Sequence, residues 1–311
     1  MSALGTPRYR QLDPDEFDRR VAALRERYAD CDLCAHACGV DRTAGKTGVC
    51  GVDDTAVVAS AFAHTGEEAC LSGTRGSGTV FLSHCNLRCA FCQNYDVSQE
   101  GDGRATTPEA IVERILDLAA RGCHNVNFVT PTHFAPTLAD AVRIASDRGL
   151  SIPVVWNCGG YENPTVLELL DGVVDIYMPD VKWADDEAAR RYSGAPDYWD
   201  HARASLREMH RQVGDLTTDA DGLATGGLLV RHLVMPGHVE SAKRILAFVA
   251  EELSPDTYVN LMAQYRPAYR VPRDDRYEAI DRRVSRAEYA EVVAHARDLG
   301  LTRLDVDDPG W

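Results

Sequence analysis

The chain has 311 residues, 45% of them hydrophobic and 26% charged, which is enough to bury one large core. Its formal net charge of -15 repels polyphosphate backbones and argues against a nucleic-acid partner. No apolar run approaches the roughly 20 residues that span a bilayer, and the polar first 20 residues are unlike a secretion signal. The sequence therefore predicts a cytoplasmic protein with neither a nucleic-acid nor a membrane partner.

Cysteine content is high for such a protein, at ten residues. In a long chain with no predicted secretion signal, this usage indicates metal or cluster ligation rather than disulfides. Seven of the ten fall in two groups, an N-terminal group of four and a central group of three: Cys31, Cys34, Cys38 and Cys50, then Cys85, Cys89 and Cys92.

The N-terminal quarter is the irregular part of the chain. Residues 9–30 are predicted to form one amphipathic helix, and residues 31–78 a loop-rich module without long periodic segments. The four thiols of the C-x2-C-x3-C-x11-C pattern are enough for a closed zinc site or a fully ligated auxiliary iron–sulfur cluster, and both remain open. A short module with so few apolar residues needs such a staple. Glu67 and Glu68 form either a ligand patch or a solvated pair.

From residue 79 onward, short apolar runs alternate with helical patterns. Thr107 and Pro108 have the residue types of a helix start, with Thr at the N-cap and Pro in the first turn. Strands that alternate with helices predict a parallel sheet with right-handed crossovers, whose site lies at the carboxyl ends of the strands. The predicted division is 1–78 and 79–311. The predicted strands are Thr79–Ser83, Asn125–Thr130, Ile152–Asn157, Val174–Met178, Leu228–Val234 and Thr257–Met262.

The central cysteine group directly follows the first of these strands. Thiolates spaced as Cys85-x3-Cys89-x2-Cys92 can converge on one [4Fe-4S] cluster, and three ligands leave one iron without a protein donor. The alternatives are a zinc site completed by His84 or a disulfide with a spare thiol. The spacing departs from paired-knuckle zinc patterns and favours the cluster.

The central motif, CNLRCAFCQNYDVSQ, is similar to the signature of the radical S-adenosylmethionine (SAM) superfamily. More narrowly, this motif together with TPTH at 130–133, DVK at 180–182 and the spacing from Arg231 to Pro236 resembles the pyruvate formate-lyase activating enzyme-like proteins. The resemblance covers essentially the whole chain. It implies a partial (β/α)6 TIM-like barrel with a cysteine-rich N-terminal extension, in which the open iron of the cluster binds SAM.

The resemblance also implies roles for individual residues. Asp180 and Lys182 match the Asp-x-Lys of activating enzymes and are expected to act on substrate. The TPTH segment departs from the superfamily, which usually has a Gly-Gly-Glu type motif there, so the SAM ammonium is expected to bind hydroxyl and carbonyl groups instead. His133 and His232 are either site residues or core histidines. The expected SAM contacts are Phe91, Asn94, Thr130, Thr132, Asn157 and Arg231.

Three functions remain open at this stage. The first is hydrogen abstraction by a 5'-deoxyadenosyl radical from a protein glycine, which activates a glycyl-radical enzyme. The second is radical modification or epimerisation of a small molecule or peptide. The third is non-catalytic electron transfer, which the open iron disfavours. Both enzymatic functions imply an electron donor such as flavodoxin or ferredoxin, and the first implies a polypeptide partner.

Overall fold

The computed structural model describes residues 5–307, which contain ten strands. All six predicted strands are present, with ends shifted by a few residues. The strands are β1 (Val57–His64), β2 (Ser77–Leu82), β3 (Arg104–Ala105), β4 (Val126–Val129), β5 (Val154–Cys158), β6 (Ile176–Pro179), β7 (Thr217–Thr218), β8 (Ala224–Leu233), β9 (Tyr258–Met262) and β10 (Leu304–Val306).

The strands form one mostly parallel sheet in the order β10-β9-β8-β6-β5-β4-β2-β1-β3, with β7 paired to β8. Each neighbouring pair from β2 to β10 on this path is parallel, whereas β1 and β3 are antiparallel additions at one edge. Parallel strands joined by helical crossovers define an α/β fold, here the partial TIM-like barrel that the sequence predicts.

Helices follow most of the parallel strands and cover the sheet with apolar faces. The helix Pro108–Ala120 begins as predicted, with the Thr107 side chain accepting a hydrogen bond from the Ala110 amide. The helices are α1 (Pro14–Glu26), α2 (Ala69–Ser72), α3 (Tyr95–Ser98), α4 (Pro108–Ala120), α5 (Ala135–Asp147), α6 (Pro164–Leu169), α7 (Asp186–Ala188), α8 (Tyr198–Val213), α9 (Val239–Phe248) and α10 (Arg286–Asp298). None of the helices within 5–307 has the length and apolar character needed to cross a membrane.

The N-terminal extension differs from its prediction in three respects. Its helix begins at Pro14 rather than at residue 9, because the Asp13 side chain caps it there by accepting from the Glu16 amide. The helix ends at Glu26 rather than at residue 30, because the chain turns there and the Tyr28 carbonyl accepts from the Arg42 amide. Within the predicted loop-rich module, β1 pairs with β2 from Val58 to His64. The strand was missed because its alanines and serine give little apolar alternation. It joins the extension to the barrel sheet.

Candidate active site

A cavity of about 330 Å³ lies at the carboxyl ends of β2, β4, β5, β6, β8 and β9. Its wall includes all three cysteines of the central motif, together with Asp180 and Lys182. The parallel sheet therefore brings the residues of this motif and of the DVK segment together, as the strand-end rule predicts.

The loop that carries Cys85, Cys89 and Cys92 is held by contacts with distant segments. Its Arg88 and Ala90 amides donate to the carbonyls of Ser193 and Tyr192, at 2.8 and 2.7 Å. These acceptors belong to a single π-helical turn, Ala189–Ser193. The backbone around Cys89 is thus fixed on both sides.

Hydroxyl groups contact two of the three thiols. The Cys89 thiol lies 3.3 Å from Ser193 Oγ, and Cys92 Sγ lies 3.0 Å from Ser98 Oγ. Burial raises the pKa of Cys85 above its ordinary value, and that of Cys89 to about 11. Binding iron would therefore release their protons, since thiolates are the ligating form. Hydrogen bonds to cluster sulfurs are one means by which proteins tune a cluster.

The thiols of the central motif are the candidate ligands of the cluster. Each thiolate would bind a different iron, so three thiols can hold three of the four irons of a [4Fe-4S] cluster. Cys158 also borders the cavity, but its thiol interacts with Glu162. The cavity wall thus offers three thiols for iron.

Phe91 both lines the cavity and contacts aromatic side chains of the core. Its ring makes edge contacts with Trp183 and Tyr265, with ring centroids 5.9 and 6.0 Å apart, and it also lines the cavity. Gly159 also lines the cavity, and a Cβ there would lie 2.6 Å from Leu87 of the cysteine loop. This glycine lets the cysteine loop pack on β5.

Charged side chains form a network on the cavity floor. Arg231 Nε donates to Asp180 Oδ1 at 2.6 Å, and Lys182 Nζ donates to Asp180 Oδ2 at 3.1 Å. Arg231 Nη2 lies 3.3 Å from Asn157 Oδ1, and Nη1 lies 3.3 Å from Glu67 Oε2. Arg231 therefore makes three hydrogen bonds to acceptors of the protein, and it also lines the cavity.

This network fixes the charges of the two predicted catalytic residues. Burial opposes ionisation of Asp180, but the charges of Arg231 and Lys182 outweigh it and hold the Asp180 pKa below its ordinary value. Burial likewise disfavours charged Lys182, yet Asp180 and Cys89 raise the Lys182 pKa above its ordinary value. Lys182 is thus a cation close to the cysteine loop.

Glu67 and Glu68 lie beneath this network and are not solvated. Glu68 Oε1 accepts from Asn260 Nδ2 at 2.7 Å, and its side chain is only 2% exposed. Burial raises the pKa of Glu67 despite the opposing charge of Arg231. Both carboxylates pair with Arg231, with Nη1 3.3 Å from Glu67 Oε2 and 4.0 Å from Glu68 Oε1, and help to hold it in place.

The TPTH segment separates into two environments. Thr130 lines the cavity with a left-handed backbone, φ 59°, and its amide donates to the Asn157 carbonyl at 2.8 Å. Thr132 is different, because a 3-10 turn carries it into the interior, where its hydroxyl donates to Glu162 Oε1 at 2.8 Å. Thr132 therefore does not line the cavity, contrary to the expected SAM contact.

Glu162 should make the stability of the fold pH-dependent. Burial raises its pKa from 4.5 to about 7, which corresponds to about 3 kcal/mol. Because the folded state holds this proton more tightly than the unfolded chain, wild-type stability should fall as the pH rises through this range. Glu162→Gln should remove that loss, as anaerobic urea unfolding at pH 5.5 and 8 would show. The exposed Glu187→Gln is the control, and equal pH dependence in both variants would contradict the prediction.

The two lone histidines are core residues. His133 Nε2 pairs with the Ser83 carbonyl at 2.9 Å, and His232 Nδ1 pairs with the Val181 carbonyl at 2.7 Å. Burial lowers their pKa values to about 3 and about 4, so both rings are neutral at physiological pH. Neither lines the cavity, which leaves the structural interpretation for both.

The four N-terminal cysteines lie near one another. The Cys34 thiol is within electrostatic range of Cys38 and Cys50, and Cys50 is within range of Cys31. Gly48 leaves room for this approach, because a Cβ there would lie 2.8 Å from Cys38 Sγ. All ten cysteines are free thiols in the structure. The turns of the extension thus gather four thiols into one region.

Comparison with known proteins agrees with this architecture. The sequence profile of the radical SAM superfamily matches residues 79–249, and the chain belongs to this superfamily. Over nearly its whole length, the chain is similar to the uncharacterised protein MJ0674 of Methanocaldococcus jannaschii. The two are 31% identical over 299 residues, covering 93% of this chain and 81% of the relative.

Two solved structures show the same fold at low identity. SuiB of Streptococcus suis, bound to SAM, superimposes with a TM-score of 0.50 and 13% identity over 72% of this chain and 48% of SuiB. HydG, a maturase of the [FeFe]-hydrogenase, superimposes with a TM-score of 0.51 and 13% identity. The match covers 73% of this chain and 50% of HydG. This chain therefore spans about half the length of SuiB and about half the length of HydG. Radical SAM enzymes use a [4Fe-4S] cluster and SAM, and these are the cofactors of this enzyme.

Proposed function

We propose that this radical SAM enzyme abstracts hydrogen from a polypeptide substrate, with a glycine of a partner glycyl-radical enzyme as the first candidate. One observation carries the chemistry: Cys85, Cys89 and Cys92 border the same cavity as Asp180 and Lys182. The cluster, when bound by the three thiols, supplies the electron that cleaves SAM to methionine and the hydrogen-abstracting 5'-deoxyadenosyl radical. The protein residues hold the reacting groups together and exclude water.

The cavity wall offers contacts for SAM beside the thiols. Phe91 gives an apolar face for the adenine, and Asn94, Thr130 and Asn157 give amide, hydroxyl and carbonyl groups. Arg231 acts on SAM only indirectly, because it holds Asp180 and Asn157 in position. These four lining residues are the proposed cofactor contacts, and Arg231 is a positioning residue.

Asp180 and Lys182 are the proposed substrate-facing pair. Their side chains are 25% and 20% exposed, so both remain partly accessible from the cavity. Lys182 also lies within electrostatic range of Cys89, which places the pair close to the cysteine loop. A cation and an anion side by side can hold the peptide groups of a backbone segment through hydrogen bonds.

The edge of the sheet favours a polypeptide substrate. Beyond Val58, no strand of residues 5–307 pairs with the outer side of β1, so a row of backbone groups there is open to an extended chain. Phe62 is 39% exposed on this strand and stacks on Phe81, which lines the cavity. The open stretch of β1 begins opposite Phe81, at the cavity, and runs from there toward the amino end of β2.

A second candidate is radical modification or epimerisation of an amino acid or peptide. The paired charges of Asp180 and Lys182 favour it, because they match the ammonium and carboxylate groups of an amino acid. Both candidates require a low-potential donor such as flavodoxin or ferredoxin. The ten free thiols fit a reducing compartment, and we place the enzyme in the cytoplasm.

The substrate class can be tested by following the abstracted hydrogen. The reduced enzyme is incubated with SAM and a co-encoded glycyl-radical protein, and a stable glycyl radical is expected by electron paramagnetic resonance (EPR). Deuterium recovered in 5'-deoxyadenosine from a labelled free amino acid or sugar would support the second candidate instead. Failure of the reduced, cluster-loaded enzyme to cleave SAM at all would refute both.

Substitution of the lysine tests the placement of the substrate. Lys182→Met should lower substrate turnover roughly 100-fold, because a positioned charge is lost at the reacting centre, while SAM affinity changes little. Lys243→Met is the matched control, since Lys243 pairs with Glu240 and Glu291 on the surface. A loss of SAM affinity equal to the loss of turnover would place Lys182 at the cofactor instead.

A further inference from the structure

A second cavity, of about 360 Å³, lies at the outer edge of the sheet. Its wall is formed by Val58, Ala59, Gly103, Arg104 and Arg114, and within the described chain it shares no lining residue with the active-site cavity. It lies where the pairing of β3 with β1 ends, because Val58 is the last residue of β1 that pairs with β3. The next residue, Ala59, is the extra residue of a β-bulge against β2.

Two guanidinium groups line this cavity without a partner. Within residues 5–307, the side chains of Arg104 and Arg114 make no hydrogen bond, ion pair or aromatic contact. Glu113, the neighbour of Arg114 on α4, pairs with Arg148 instead. Two cations that line one cavity repel each other unless an anion lies between them. In a chain with a net charge of -15, this pair is therefore a candidate site for an anion.

The strand edge beside this cavity is open and unprotected. From Ser60 to His64, β1 pairs regularly with β2, and no strand of residues 5–307 pairs with its outer side. Exposed edges usually carry charged side chains or prolines that prevent pairing with another chain. The segment 60–63, Ser-Ala-Phe-Ala, carries neither. The edge can therefore accept one more extended strand through backbone hydrogen bonds.

The two faces of the sheet offer different contacts at this edge. Arg104 and Leu82 both pair with Val58, so their side chains lie on the same face as Val58, which packs in the core with the helices. Phe81 precedes Leu82 and faces the opposite side, where Phe62 stacks on it. Phe62 is 39% exposed. A strand added here would thus meet the cations on one face and an aromatic ring on the other.

We infer that the open edge of β1 binds an extended segment of the substrate polypeptide, with an acidic residue on Arg104 and Arg114 and an apolar residue on Phe62. Side chains on opposite faces of a strand are an odd number of positions apart, so we expect about three positions between these two residues. The charge of -15 on each chain disfavours a second copy as the occupant. The inference rests on the proposed function, since the bound segment belongs to its polypeptide substrate.

The experiment uses peptide probes with the full-length, cluster-loaded protein under anaerobic conditions, without reductant. The probe is a fluorescent eight-residue peptide of alternating threonine and valine, with one aspartate and, three positions later, one phenylalanine. A second peptide with the reversed order covers the other strand direction. Fluorescence anisotropy gives the Kd. Bound peptide should slow hydrogen exchange of amides in the segment 60–64 roughly tenfold, because backbone hydrogen bonds protect them.

Variants of the two arginines test the contact with the acidic residue. The double variant Arg104→Gln/Arg114→Gln should raise the Kd of the aspartate peptide roughly tenfold, because charge-assisted hydrogen bonds are lost. Asparagine in place of the peptide aspartate should have the same effect in wild type, and little further effect in the double variant. Arg121→Gln is the matched control, since Arg121 directly follows α4, pairs with Asp117 and does not line the cavity.

Several results would overturn the inference. Equal Kd values for the aspartate and asparagine peptides would do so, as would bound peptide that leaves exchange in the segment 60–64 unchanged. A wild-type dimer with these amides already protected would assign the edge to a second copy. Sulfate bound at the arginines while neither peptide binds would reduce the cavity to a small-anion site.

The docking site and the proposed function can fail separately. Peptide binding is measured without reductant, so a wild-type enzyme that does not cleave SAM refutes the proposed function and leaves the binding result standing. A wild-type enzyme that cleaves SAM but binds neither peptide refutes the docking site alone.

Discussion

Replacing Cys85, Cys89 or Cys92 with Ala should abolish formation of 5'-deoxyadenosine. The cavity wall presents three thiols for three irons, so the loss of one leaves a second iron without a protein ligand. The measurement is chromatographic detection of 5'-deoxyadenosine from SAM with anaerobically reconstituted, reduced protein. In wild type, the EPR signal of the reduced cluster should also shift when SAM is added.

Cys158 provides the matched control for this prediction. It borders the same cavity, but its buried thiol interacts with Glu162, so Cys158→Ala should leave the cluster signal and SAM cleavage in place. Full activity in any of the three loop variants would refute the assignment of the catalytic cluster. Loss of the cluster in Cys158→Ala would instead identify a fourth ligand.

Loss of an N-terminal cysteine should destabilise the fold by several kcal/mol. In small zinc domains, metal binding supplies roughly 10 kcal/mol or more of apparent folding free energy. Cys50→Ala should therefore lower the unfolding midpoint strongly, while the SAM-shifted signal of the catalytic cluster, generated with excess chemical reductant, stays unchanged. Anaerobic denaturation and EPR of the same samples measure both effects.

An isolated buried thiol serves as the control for stability. Cys123 is 3% exposed and belongs to neither cysteine group, so Cys123→Ala should cost about 1 kcal/mol through a small cavity. A wild-type protein with only about four irons and no zinc per chain would contradict a second site. Equal destabilisation by Cys50→Ala and Cys123→Ala would also contradict it.

Local sequence patterns were sufficient for the main sheet and for the centre of the site. Apolar runs bounded by turn residues marked all six predicted strands, and the strand-end rule explains why Asp180 and Lys182 border the same cavity as the cysteine loop. The cysteine spacing alone indicated an open iron, and the match to the radical SAM superfamily agrees with it.

The errors concern contacts between residues far apart in the chain. Thr132 was predicted to bind SAM, but its hydroxyl donates a hydrogen bond to Glu162, 30 residues away. The pairing of Arg231 with Glu67, 164 residues away, was also not predicted, because no local pattern indicates it. Tyr198, which donates to the carbonyls of Gly159 and Asp180, carries no motif and was missed for the same reason.

The buried guanidinium of Arg42 ties the extension to the barrel. It is completely buried, and it donates to the carbonyl of Asp53 in the extension and to that of His133, which lies beyond β4. A buried cation that loses its partners is costly. The extension and the barrel should therefore unfold together, in one cooperative transition.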